Sequence, residues 1–403
     1  MFKISLNLKI IIFGFIFTFF SSFGQSYFIG LFNSSIRTDL SITHGQFGTL
    51  YASATLLSSL MLIWVGKKID DMDVFKFSLF VITLLSFACY FFSQIETIYF
   101  LFFGIFLLRL SGQGLMSHTA TTTVSRYFEQ TRGKALSVTW LGLSAAEFIL
   151  PVLIVFLLTF TIWRNIWIII SIVILLVLPI FSFLLVKKLK LDSREISKKK
   201  EVNNNNIKQW KRSEVIKDYR FYILAMNMLG MPSIATGVFV YQSFIIYQKN
   251  WGPFVFAQSF MAYSILSVIT LSISGYLIDK FTSRKLLVYM NIPLLLAVFV
   301  LFLFNDPISS FVLLGLIGIS NGFANVLGSS TWAEIYGVKY IGGIKAITTA
   351  MMVFATATGA ATFGILIDQG HNINFIALIS GIYIAFSLLL LIIFRKKMEP
   401  VYL

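Results

Sequence analysis

Residues Leu108 to Pro151 read LRLSGQGLMSHTATTTVSRYFEQTRGKALSVTWLGLSAAEFILP. Two apolar stretches flank a short basic connection, Ser125 to Lys134; the first carries Arg109, and the second carries Glu147 and stops at a proline. If the first is a helix from Ile98, Arg109 lies roughly 17 Å along it. If the second is a helix from Ala135, Glu147 lies roughly 18 Å in from the opposite side. In a hydrocarbon layer of about 30 Å both charges sit near the midplane. An Arg or an acid there costs roughly 2.5 to 3.5 kcal/mol, so such residues face a partner or a wet cavity and carry function.

The rest of the chain supplies the membrane context. Of 403 residues 57% are hydrophobic, 43 are Phe and only 12% are charged, the composition of a polytopic membrane protein. Apolar runs long enough to span occur at 10–32, 47–65, 77–94, 98–122, 136–160, 163–186, 221–246, 254–278, 286–304, 308–333, 344–367 and 374–394. Twelve spans put both termini on one side.

The net charge of +15 does not indicate a nucleic-acid partner, because 28 of the 32 Lys and Arg residues fall in the tails and alternate loops of one side. The positive-inside rule makes that side the cytoplasm. The exceptions are Arg37, Arg164 and Lys249 on the other side, and Arg109 within the membrane. The first run, about 23 residues long and without a small-x-small cleavage site, reads as an uncleaved helix rather than a signal peptide. The single cysteine, Cys89, excludes an internal disulfide and a thiolate metal cluster, and it reads as a packing residue.

The one long polar segment, LKLDSREISKKKEVNNNNIKQWKRSEV, separates six runs from six. It divides the chain into residues 1–186, a basic, solvated cytoplasmic linker at 187–220, and residues 221–403. The second run ends in Gly66-Lys-Lys-Ile-Asp70 and the eighth in Gly275-Tyr-Leu-Ile-Asp279, an offset of 209. Tyr127 and Gly133 recur as Tyr336 and Gly342, again at 209. Separate landmarks sharing one offset imply a parallel duplication of a six-helix unit.

Twelve helices as 6+6, a basic central loop and GxxxD after the second and eighth helices resemble the major facilitator superfamily over essentially the whole chain. The fold class expected is therefore all-α integral membrane, twelve transmembrane helices in two six-helix bundles. The second motif, GYLIDKFTSRK, keeps the glycine, the aspartate, Lys280 and the later Arg284. The first, GKKIDDMDVFK, has Asp71 where the family's arginine stands. Gly66 and Gly275 are expected to admit a close neighbour, and Asp70 and Asp279 to cap a facing helix. By the resemblance they latch the two halves on the cytoplasmic side.

RLSGQG resembles the family's arginine-glycine pattern in helix 4, with Gln113 one turn beyond Arg109 and Gly112 on the same face. Such a face makes room for a solute, and Arg109 can fork a carboxylate. The other reading is an Arg109–Glu147 pair that only joins the fourth and fifth helices. In the tenth helix the equivalents of Arg109 and Gln113 are Gly318 and Gly322, with Asn321 and Asn325 as neutral polar groups. The resemblance implies that helices 1, 4, 7 and 10 line a cavity. It adds Gln25, Asn227 and Tyr241 as substrate-contact candidates, the last two on either side of a break at Pro232. His118, about 180° around the helix from Arg109, points elsewhere and reads as a packing or helix-end residue.

RYFEQTRGKALS, followed by a helix ending at Pro151, resembles monocarboxylate and oxalate:formate porters, although the eighth run lacks the arginine that some of them place there. The expected function is secondary transport of a small anionic solute, a carboxylate, by alternating access, with Glu147 as the candidate proton-coupling residue. Efflux of a hydrophobic or cationic compound is the alternative. No nucleotide-binding motif, cofactor site or metal cluster is apparent, and three scattered histidines do not make an intramembrane enzyme. A receptor would carry a soluble output domain. The expected partners are a small-molecule substrate, protons and the lipid bilayer. The setting expected is a plasma membrane, the inner one in a bacterium, with both termini cytoplasmic and the chain monomeric.

Overall fold

The computed structural model describes residues 5–128, 131–187 and 207–402, apart from the side chains of Arg132, Asp279 and Ser329. It divides into two compact units, Met1–Lys199 and Lys200–Leu403. The first holds α1 (Leu6–Gly30), α2 (His44–Asp70), α3 (Val74–Ser93), α4 (Ile98–Tyr127), α5 (Gly133–Leu157) and α6 (Trp163–Val186). The second holds α7 (Tyr219–Val240), α8 (Pro253–Ile278), α9 (Ser283–Leu303), α10 (Ile308–Tyr336), α11 (Ile341–Asp368) and α12 (Ile373–Ile393). Among the described residues there is no strand, only an isolated bridge between Ile207 and Tyr402. Leu176 and Ile180 of α6 and Ile382 and Ile393 of α12 are exposed, as expected of a multi-pass membrane protein whose outer faces meet lipid rather than water.

The helices start where a polar side chain satisfies the first free N–H groups. Thr43 and Gln46 close a reciprocal box at α2, Asp73 accepts from Phe75 and Lys76 at α3, and Asn372 accepts from Phe375 at α12. α2 and α4 also run past their apolar stretches at the other end, reaching Asp70 and Tyr127.

The offset of 209 holds in three dimensions. The short helices Asn33–Leu40 and Gln242–Lys249 match at it, as do the left-handed residues that end them, Ser41 (φ 53°) and Asn250 (φ 54°). Each short helix is tied to the start of the unit's last span and to the turn before its fourth. In the first unit Arg164 pairs with Asp39 and donates to Ile95 O at 2.8 Å, while Trp163 Nε1 donates to Asp39 Oδ2 at 2.8 Å. In the second, Lys249, 2% exposed, donates to Asn305 and Asn374 side-chain oxygens, both at 2.9 Å. One cation makes the same connection from opposite partners. The Trp163 hydrogen bond, helped by Arg164, holds the Asp39 carboxyl below its usual range. A depressed folded value means the tie stabilises above the ordinary aspartate range, about 3.9, and is lost as pH falls through the lowered value. The gap in thermal-unfolding midpoint between the native protein and Asp39→Asn is expected to shrink on acidification through that window. A gap independent of pH would show that the carboxylate contributes nothing.

The end of the linker departs from expectation. Residues from Ile207 onward are not a solvated connection: they pack on the second unit, with a short helix at Arg212–Val215. Trp210 supplies the apolar anchor, edge-on to Tyr336 with centroids 5.5 Å apart. The Lys and Asn runs at 188–206 lie outside the described residues.

Candidate functional site

The sequence around Arg109 is poor helix-forming material, with Gly112 and Gly114 in one turn. There α4 becomes a π-helix, Arg109–Met116. Such bulges are frequent at functional sites. Facing it, α1 is broken: Ser21–Gly24 winds as a 3₁₀ turn, Gln25 is extended (φ −83°, ψ 153°), and helix resumes at Ser26. The two irregularities touch backbone to backbone. A Cβ on Gly24 would lie 2.3 Å from Leu108 O and 2.4 Å from Gln113 N, and one on Gly112 would lie 2.6 Å from Gly24 N.

The break in α1 exposes polar groups that Arg109 takes up. Its Nη1 donates to Gly24 O at 3.1 Å and, more weakly, to Ser26 Oγ at 3.4 Å. Tyr51 of α2 donates to the same Ser26 Oγ at 2.9 Å, and the guanidinium lies 5.3 Å from the Tyr51 ring centroid. Arg109 is only 3% exposed, and its Nε is buried without a partner. Among the described residues no acid pairs with it, so a full positive charge is held by a carbonyl, a hydroxyl and a ring face.

The alternative Arg109–Glu147 pair is not formed. Glu147, 8% exposed on α5, lies near Tyr27 of α1 and forms no salt bridge among the described residues. Gly142 of α5 abuts α1 so closely that a Cβ would lie 2.0 Å from Phe15 O, and Thr18 Oγ1 donates to Thr139 O at 2.6 Å. Gln25 and Gln113 are half-buried beside the break, neither side chain hydrogen-bonded among the described residues. The first unit thus brings Arg109, Gln113 and Gln25 together, and among the described residues Glu147 is not paired with Arg109.

In the second unit the candidates do not converge. Asn227 is 0% exposed; its carbonyl accepts from Asn291 Nδ2 at 2.6 Å, while its own amide is buried without a partner. Tyr241 is buried and stacked on Phe363 of α11, centroids 6.4 Å apart, a packing role. Asn321 donates to Ser267 Oγ of α8 at 3.0 Å, and Asn325 is exposed. Gly318 and Gly322 leave no room for a solute, since Cβ atoms there would lie 2.3 Å from Tyr263 O and 2.6 Å from Ser267 O. They seat α8 against α10. Nor does α7 break at Pro232: it runs through to Val240.

Asp70 does not cap a helix within its unit; it pairs with Arg126 at the end of α4, whose Nη1 also donates to Ile69 O at 3.2 Å. Two turns earlier on α4, His118 Nε2 meets Gly66 O at 3.1 Å, and its ring is 3.4 Å from where a Gly66 Cβ would stand. His118 is therefore the helix-packing residue expected. Gly275 has open space around its Cα, Lys280 is exposed over the Phe281 ring, and the side chain of Asp279 lies outside the described residues. Arg284 Nε pairs with Glu334 Oε1 at 3.2 Å, and Glu334 Oε2 accepts from the Ser283 and Arg284 backbone N–H groups at 2.9 and 3.2 Å. Glu334 is the cap of α9 and was not anticipated. Its one signal was an acid next to the repeated Tyr336. Gly24, Ser26 and Tyr51 were also missed, because their roles depend on a helix break that composition does not show.

The sequence matches the Major Facilitator Superfamily over residues 14–314 and again over 235–402. The chain belongs to the major facilitator superfamily. As a superfamily member it is a transporter of small molecules working by alternating access, not an enzyme. Among solved structures it is similar to an inward-facing, unoccupied bacterial homolog of the human lysosomal transporter Spinster, with a TM-score of 0.74, 12% identity, and coverage of 99% of this chain and 100% of that one. It is also similar to the nucleoside transporter NupG, with a TM-score of 0.71, 13% identity, and coverage of 98% and 99%. At such identities these likenesses concern the superfamily fold. No curated protein matches the sequence.

Proposed function

We propose that this transporter moves a small anion, a carboxylate, bound at Arg109. The observation that carries the reading is a buried guanidinium with a free Nε and no acidic partner among the described residues. A buried charge left unpaired costs several kcal/mol, and a carboxylate ligand offsets that cost with charge-assisted bonds. Gln25 and Gln113 stand beside it as neutral donors. The same α4 carries Arg109 at the start of its π-turn and, beyond it, His118 and Arg126 on the α2 loop. Relaxing the π-turn to α-helix shifts the register of the C-terminal half of α4 by about one residue, or roughly 100° and 1.5 Å. That displacement takes His118 and Arg126 off Gly66 and Asp70, so anion binding and release of the loop become one event.

Glu147 is the candidate proton carrier, which makes the transport a proton-linked symport. It also favours a second reading, efflux of a cation that neutralises this unpaired carboxyl. The asymmetry of Lys and Arg residues supports a plasma-membrane orientation, the inner membrane of a bacterium, with both termini cytoplasmic. Uptake into proteoliposomes of carboxylates, nucleosides, sugars, amino acids and organic cations, with and without a pH gradient, tests the reading. Carboxylate uptake stimulated by an inward proton gradient is expected; transport restricted to cations or to uncharged solutes would overturn it.

A further inference from the structure

The last stretch of the linker builds a basin on the second unit. Lys208 N–H donates to Val401 O at 2.8 Å and Trp210 N–H to Tyr336 O at 3.0 Å, which pins the segment to the C-terminal tail and to the end of α10. Gln209 then crosses the α10–α11 turn: its Oε1 accepts from Lys339 N–H at 3.0 Å and its Nε2 donates to Ile207 O at 3.0 Å. The turn admits it because Gly337 takes φ +83° and lacks a Cβ, which would lie 2.3 Å from Gln209 Oε1. The result is an open cavity of about 560 Å³ lined by Lys208, Gln209, Lys211, Glu214, Lys339 and Tyr340.

Its charge is unbalanced. Lys208 Nζ lies 4.0 Å over the Trp210 ring and 3.1 Å from Glu214 Oε1. Glu214 is committed elsewhere too, its Oε2 accepting from Lys211 N–H at 2.7 Å, and that bond, with Lys208, holds its carboxyl below the usual range. Three lysines therefore line the basin with one glutamate, and among the described residues the Lys211 and Lys339 ammonium groups form no ion pair. Around the rim Val338, Tyr340, Val401 and Tyr402 expose apolar and aromatic surface. Aromatic side chains beside lysines are what the boundary between lipid headgroups and water selects.

We infer that this basin binds a phosphate group, carried by the headgroup of an anionic phospholipid. Basic pockets on this kind of surface take such headgroups, each lysine contributing about 1 kcal/mol. The exposed apolar rim favours a lipid over free phosphate, because it gives the glycerol and upper acyl carbons a surface to lie on.

The test uses the full-length protein in detergent and compares binding of phosphatidic acid, phosphatidylcholine and inorganic phosphate by native mass spectrometry and thermal-unfolding shift. Phosphatidic acid is expected to bind and phosphatidylcholine not. Lys208→Gln/Lys211→Gln/Lys339→Gln should weaken phosphatidic acid by about 100-fold, the equivalent of about three lysines, and the triple Arg variant should restore it. Should the triple Gln variant unfold earlier without lipid, Lys339→Gln alone carries the test with a loss of about fivefold. Equal phosphatidic acid binding by native and Gln proteins would overturn the site. Inorganic phosphate binding as tightly as the lipid, and lost in the Gln variant, would keep the phosphate site and overturn the lipid source.

Discussion

Replacing Arg109 by Ala is expected to weaken anion binding by about 10- to 150-fold, the value of a single hydrogen bond to a charged group at 1.5 to 3 kcal/mol. Arg109→Lys should be nearly as damaging, for a reason the geometry supplies. The guanidinium spends Nη1 on Gly24 O and Ser26 Oγ, and keeps other nitrogens for a ligand. A lysine has one nitrogen; if it occupies the α1 carbonyl it has no second nitrogen to complete a fork. Equilibrium binding and initial uptake rates with a transported carboxylate decide the matter. Native transport by the Lys variant would mean that positive charge alone suffices and that the fork is not used.

Glu147→Gln is expected to abolish accumulation driven by a pH gradient while leaving exchange of labelled for unlabelled substrate within about twofold of native. An amide of the same shape cannot carry a proton, whereas exchange moves none. Because Glu147 and Arg109 form no ion pair among the described residues, the two substitutions should also combine additively in exchange-mode affinity, within about 0.5 kcal/mol, as for sites without a shared contact. Undiminished accumulation by the Gln variant would remove Glu147 from coupling. Strong non-additivity would mean that the two charges meet in another state of the transport cycle, and that the proton is linked to the anion by direct exchange of partners.

Much of the architecture was legible in the residues. Long apolar runs in a chain with 12% charged residues leave the membrane as the one solvent that suits them, and an offset of 209 between landmarks discloses the duplication. Helix limits were less legible, because a polar cap such as Thr43 starts α2 before its apolar stretch, and the helix runs on past that stretch to Asp70.

At the site, the sequence determined that Arg109 and Glu147 fall far from the ends of long apolar stretches and need an account, since position along a helix follows from counting residues. Which groups they meet was decided by tertiary structure alone. A regular α4 would put Gln113 one turn beyond Arg109; the π-turn changes that register, and the break at Gln25 offers Arg109 a carbonyl in place of a carboxylate. Likewise Gly318 and Gly322 carry no side chain, and the backbone of α8 fills the space beside them. A glycine in sequence specifies only a missing side chain. Whether a solute or a neighbouring helix takes its place depends on how closely two backbones approach, and that distance is set by the packing of the whole bundle.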